Sequence, residues 1–179
     1  MQFDHQPHLQ NNKVELVPLK KSDFEDLYKV ASDPAIWLNH PNKFRYQKEI
    51  FRTFFEGAIK SEGAFKIIDK ASGELIGSTR IYDYEPDKNQ ILIGYTFFAT
   101  SHWGKGFNLS VKRLLLDYLF QFVSTVGFHI GATNFLSQKS IAKLGAVKVN
   151  EMEVTYFGEQ PKQNFIYEIT KEEWLTRKA

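Results

Sequence analysis

The 179-residue chain combines 42% hydrophobic with 25% charged residues, a formal charge of +2 and no cysteine. That balance suits one compact domain with its own core, and a small, scattered charge leaves no basic stripe for nucleic acid or an anionic membrane. The missing thiols exclude disulfides, thiolate metal sites and cysteine nucleophiles.

Residues 1–12 lack the apolar core of a signal peptide, and no apolar run in the chain approaches the ~20 residues of a membrane span. They read as a frayed or disordered N-terminus in which His5 and His8 belong to a polar tail and not to a metal site. One domain then covers residues 13–179, with the cytoplasm as the expected compartment. The sixteen Phe, eight Tyr and three Trp are enough to line a cleft, but their first expected use is to fill the core.

Val14–Pro18 alternates apolar and polar residues as a half-buried strand does. Ser22, with Glu25 three residues on, forms a capping-box pattern for a helix in which Phe24, Leu27, Tyr28 and Val30 lie near one stripe. Asp33-Pro34 ends it. After a loop over residues 37–41, residues 46–59 place Ile50, Phe51, Phe54, Phe55 and Ala58 at helical spacing. From Gly63 onward the pattern is that of strands: Ala64–Asp69, residues 75–82 and Gln90–Phe98, joined by turns short enough for antiparallel hairpins. A glycine-containing loop over residues 101–108 leads into a helix over 109–126. Residues 127–132 then read as a strand, 137–144 as a helix closed by Gly145, and 147–157 and 164–169 as a last pair of strands. The fold class is α+β.

Passing from a strand through Gly104-Lys105-Gly106 into a helix presents unpaired backbone N–H groups, and the positive end of a helix dipole, to one point in space. A pyrophosphate fits such a cradle, and Lys105 and Lys112 are placed to add charge to it. The loop has neither the spacing and Lys-Ser/Thr pair of a Walker motif nor the three glycines of the dinucleotide fingerprint, so nucleotide hydrolases and nicotinamide enzymes are disfavoured.

Four runs stand in a telling order: Ile93-Gly94-Tyr95, Trp103-Gly104-Lys105-Gly106-Phe107-Asn108, Asn134-Phe135-Leu136-Ser137-Gln138 and Lys143-Leu144-Gly145-Ala146. Together they resemble the acyl-CoA core of the GNAT acetyltransferases, in particular the branch of ribosomal-protein N-terminal alanine acetyltransferases. The resemblance runs from Val14 to Trp174. It implies the GNAT fold: a mixed, mostly antiparallel central sheet flanked by helices, with one splayed parallel strand pair. It also implies acetyl-CoA as co-substrate, no metal, and a primary amine as acceptor, either a small molecule or a protein N-terminus. A homodimer is a further expectation.

By that resemblance, main-chain groups of Gly94, Tyr95, Thr96 and Phe97 bond the pantetheine arm, and Trp103, Gly104, Lys105, Gly106, Phe107 and Asn108, with Lys112 behind them, hold the pyrophosphate. Asn134 bonds the pantetheine or orients the acceptor. Ser137 lies near the thioester sulfur, as a proton donor or as an ordinary helix N-cap. A main-chain N–H near Tyr95 or Thr96 is the expected oxyanion donor, and direct attack by the amine needs no covalent enzyme intermediate.

The chain departs from the family pattern in several places. Leu92 stands where many relatives have a glutamate base; Asp83, Glu85, Glu153, His40 or ordered water are the substitutes considered. Ser110 and Leu136 replace residues that are usually charged. The acceptor site would be walled by Trp37, His40, Phe44, Tyr46 and the late hairpin around residues 156–164. Against the N-acetyltransferase stand a non-catalytic acyl-CoA-binding or sensing module and, third, a phosphate- or nucleotide-binding protein unrelated to acyl transfer.

Overall fold

The computed structural model describes residues 3–178. Eight strands form one sheet: β1 (Leu9–Gln10), β2 (Val14–Pro18), β3 (Ala64–Asp69), β4 (Leu75–Glu85), β5 (Gln90–Phe98), β6 (Thr125–Gly131), β7 (Val147–Val154) and β8 (Lys162–Thr170). Their spatial order is β1-β2-β3-β4-β5-β6-β8-β7, antiparallel at every pairing except β5 with β6. The α-helices are α1 (Phe24–Ala31), α2 (Lys48–Lys60), α3 (Phe107–Leu119), α4 (Phe135–Ala142) and α5 (Lys171–Lys178). Among the described residues, no helix is long and apolar enough to cross a membrane.

Each face of the sheet has its own core. On one side Val111, Leu115, Leu116 and Leu119 of α3 pack on Ile67, Ile76, Ile81, Ile91, Ile93 and Val126. On the other, α1 and α2 bring Leu27, Phe51, Phe54 and Phe55 onto Ala64, Phe97 and the buried Trp37. The aromatic load is spent mostly here, as expected. Trp37 is anchored by its indole N–H, which donates to the Ala31 carbonyl at 2.7 Å.

Three local expectations need correction. Residues 3–12 do not fray: Phe3 is buried, stacks on Phe122 at 5.3 Å and meets the edge of Tyr84, Tyr118 Oη donates to the Asp4 carbonyl, and β1 pairs with β2. One aromatic anchor holds this segment against the sheet; Met1 and Gln2 lie outside the described residues. Ser22 does not cap the first helix: it lies inside a short 3-10 turn, Lys21–Asp23, where Asp23 Oδ2 accepts from the Lys20 N–H at 2.8 Å, and α1 follows with Asp23 as its N-cap. Finally, α3 stops at Leu119, since Phe120, Phe122 and Val123 continue its apolar pattern through a turn and not a helix.

Candidate active site

The β5–β6 ladder is short. Gln90, Ile91 and Leu92 pair with Thr125, Val126 and Gly127, and beyond Leu92 the strands part. β5 remains bonded to β4 as far as Phe98, and β6 to β8 as far as Gly131, so each wall of the gap is held by its outer neighbour. A β-bulge reinforces the parting: Tyr95 and Thr96 stand opposite the single Thr79, with Tyr95 at φ +54°. A left-handed tyrosine is a strained position, of the kind that structures retain where backbone must be re-aimed.

Two adjoining cavities occupy the wedge and its mouth. The inner one, about 120 Å³, is bounded by Gly94, Tyr95 and Thr96 on one wall and Phe128, His129 and Ile130 on the other, with Asn134 and Ser137 at its side. The outer one, about 610 Å³, runs past Trp103, Gly104, Gly106 and Asn108 to Lys139 and Lys143. The larger volume is that of an ordinary small-molecule site. Gly104 and Gly106 have φ +71° and +79°, which turn the chain into the N-terminus of α3 with Gly106 as its N-cap. A Cβ would have room at Gly104, so backbone conformation, not crowding, requires the glycines.

The predicted residues thus fall largely in one place, with differences in what their side chains do. Asn134 is the N-cap of α4, its Oδ1 accepting from the Ser137 N–H at 3.2 Å, so the Ser137 hydroxyl is released from capping and lines both cavities. Asn108 ties α3 to α4 by donating to Ser140 Oγ at 2.9 Å, while its Oδ1 is buried without a protein partner. Trp103 is half-exposed and donates to the Phe98 carbonyl. The Phe97 ring points into the core at 5.0 Å from Trp37, which leaves only its main chain for a ligand, and Phe107 is buried. Lys105 is exposed and does not line either cavity; its carbonyl accepts from Lys13 Nζ, which also lies 4.6 Å from the Phe107 ring.

Lys112 is the clearest departure. Its ammonium does not lie out in the loop but is buried, donating to Thr96 Oγ1 at 2.6 Å, and the lack of solvent lowers its pKa to about 7. Thr96 Oγ1 in turn shares a hydrogen bond with Thr79 Oγ1 at the bulge.

On the acceptor side Tyr82, Tyr95 and Tyr156 meet edge to face, and burial raises the pKa of all three, so they remain phenols. Tyr156 Oη donates to Asn164 Oδ1, fixing the β7–β8 connection. Arg45, 4.7 Å from the Phe54 ring, forms a buried ion pair with Glu159, joining that connection to the segment before α2. Arg80 is buried with its guanidinium 3.9 Å from the Tyr95 ring. His40 packs edge-on to Trp37, and burial together with Arg45 holds its pKa near 3, too low for a base at neutral pH. Sequence reasoning missed Lys13, Arg45, Glu159 and His129. Only His129 left a trace, in the Gly127-x-His129-x-Gly131 alternation that puts two absent side chains beside an imidazole on one strand face.

A family model, the acetyltransferase (GNAT) domain, matches residues 13–147. The chain belongs to the GNAT acetyltransferase family. It is an acyltransferase enzyme, and the resemblance drawn from the sequence is borne out, as is the mostly antiparallel sheet with one parallel pair. Solved GNAT structures share the fold. A GCN5-related N-acetyltransferase from Brucella melitensis superposes with a TM-score of 0.79 at 18% identity, over 95% of this chain and 81% of that one. Spermidine N-acetyltransferase from Vibrio cholerae, in complex with CoA and spermine, gives 0.68 at 16%, over 92% and 99%. Mycobacterium smegmatis RimJ, in complex with CoA-disulfide, gives 0.69 at 17%, over 89% and 83%.

Proposed function

We propose that this GNAT enzyme moves an acetyl group from acetyl-CoA to a primary amine by direct attack of the amine on the thioester. The observation that carries the reading is the ladder ending at Leu92 and Gly127 beside the bulge at Tyr95: an open seam between two strands, leading to a glycine-lined helix N-terminus. Pantetheine, an extended chain with amide groups, suits the unpaired edge of such a seam, and a diphosphate suits the turn at Gly104 and Gly106. The two CoA-bound neighbours, though distant in sequence, fit this assignment.

Catalysis then falls to a few groups. The main-chain N–H at Tyr95 or Thr96 stabilises the oxyanion as the thioester carbonyl is attacked, and the Ser137 hydroxyl protonates the departing thiolate. The acceptor enters between Tyr82, Tyr95 and Tyr156. Burial lowers the His129 pKa while Asp83, Glu168 and Glu85 oppose that, so carboxylates lie near this side of the cavity, which suits an amine that arrives as a cation on a partly apolar body. A polyamine and a peptide N-terminus both meet that description.

The test is to incubate the protein with acetyl-CoA and a panel of polyamines, amino acids, aminated antibiotics and short peptides while following free thiol. Amine-dependent, saturable thiol release supports the reading. CoA binding with no release over the whole panel would instead identify a binding module.

A further inference from the structure

Leu92 leaves the position of the usual glutamate apolar and 6% exposed, so β5 supplies no carboxylate base there. Directly across the gap stands an imidazole. His129 follows Gly127 by two residues, so it projects from the same sheet face as Gly127, where the parallel ladder ends. Had that ladder continued, His129 would pair with Gly94; instead the two line opposite walls of the inner cavity. Its Nδ1 is buried and has no hydrogen-bond partner, an arrangement that a purely structural histidine rarely keeps because the unmet group costs stability.

The electrostatic surroundings suit proton uptake. Burial lowers the pKa of His129, keeping the ring neutral at neutral pH, while Asp83 and Glu85 of β4 and Glu168 of β8 oppose that and favour a cation once a proton arrives. Glu168 pairs with Gly127 in register and accepts from Gln90 Nε2 at 2.8 Å, so its carboxylate spans the foot of the wedge. The remaining ionisable groups around the cavity are Tyr82, Tyr95, Tyr156, His40, Arg45 and Lys112. The tyrosines are held as phenols, His40 is too weak a base, Arg45 is committed to Glu159, and Lys112 Nζ is engaged with Thr96 Oγ1 at 2.6 Å on the β5 wall.

Building on the acetyl-transfer reading, we propose that His129 is the general base of this enzyme, accepting the acceptor's ammonium proton directly or through one water from the β6 side of the wedge. The neutral amine's lone pair then forms the N–C bond to the acetyl carbon, and the C–S bond breaks with its electron pair on sulfur. The second amine proton reaches the thiolate by way of Ser137 or water, giving thiol and amide, and His129 returns its proton to solvent.

The experiment compares wild type with His129→Gln and His129→Ala at saturating acetyl-CoA, using the best amine of the panel. Both variants should lose roughly a hundredfold or more in kcat, as removal of a general base does, with CoA affinity by calorimetry unchanged. The acidic limb of the wild-type kcat/KM profile should match the His129 titration followed by NMR in the wild-type protein, and should vanish in His129→Gln. Added imidazole should restore part of the His129→Ala rate. If kcat and the pH profile survive in His129→Gln, or if the NMR titration and the kinetic limb do not coincide, the proposal is wrong while acetyl transfer stands. If wild type acetylates nothing, the underlying reading has failed independently of His129.

Discussion

Lys112 offers a prediction whose size follows from its burial. The folded chain holds this amine with a pKa near 7, against 10.5 for an unburied lysine, because desolvation penalises the ammonium and no carboxylate offsets it. The unfolded chain therefore binds a proton that the folded chain releases between pH 7 and 10.5, and stability must rise with pH across that window. The penalty for the charged form amounts to roughly 4 kcal/mol at pH 7 and about 2 kcal/mol at pH 9, from the usual ~1.4 kcal/mol per pH unit. Lys112→Met keeps the length of the side chain, removes the titration and sacrifices one hydrogen bond to Thr96, worth about 1 kcal/mol. In urea unfolding, the variant should therefore be more stable than wild type at pH 7 by about 3 kcal/mol, and that advantage should shrink by roughly 2 kcal/mol at pH 9. A difference between the two proteins that does not change with pH would refute the reasoning, since it would mean that Lys112 keeps an ordinary pKa in the fold.

Other perturbations separate fold from function. Gly104→Ala and Gly106→Ala each force a left-handed backbone on an L-residue, at roughly 1 kcal/mol, and re-aim the amides of the loop; calorimetry should show CoA affinity falling about tenfold in each. Ser137→Ala should lower kcat by roughly a hundredfold without changing Tm, because Asn134 is the cap, whereas Asn134→Ala should lose about 1 kcal/mol of stability. Glu159→Gln strands the buried Arg45 charge and should cost about 3–5 kcal/mol in guanidinium unfolding, with a looser acceptor side read as a higher KM for the amine.

Much of this molecule was legible because local chemistry and global fold agree. The period-2 run at Val14–Pro18, the hairpin strands and the Gly104 and Gly106 turn are dictated by their own residues, and the structure keeps each of them. Where the reading failed, a distant partner decided. Phe3 is buried only because Tyr84 and Phe122 lie across the sheet from the N-terminus, and the insertion of β8 between β6 and β7 has no local signature. One helix was simply overlooked: Thr170 and Glu173 form a reciprocal capping box for α5, where Trp174 packs on Phe120 and donates to Asp117 Oδ1. At the site, the cradle could be read from its glycines. The buried Lys112 amine and the unpartnered His129 ring could not, because burial depends on how the strands part and not on residue type.

Acetyl transfer in this chain requires an acyl-CoA lying in the seam between β5 and β6, and a crystal structure of the protein with CoA tests that directly. The pantetheine should run between Gly94–Thr96 and residues 128–131, with the diphosphate on the amides that follow Gly104 and Gly106. CoA bound elsewhere on the surface, or a seam closed by continued pairing of Gly94 with His129, would contradict it.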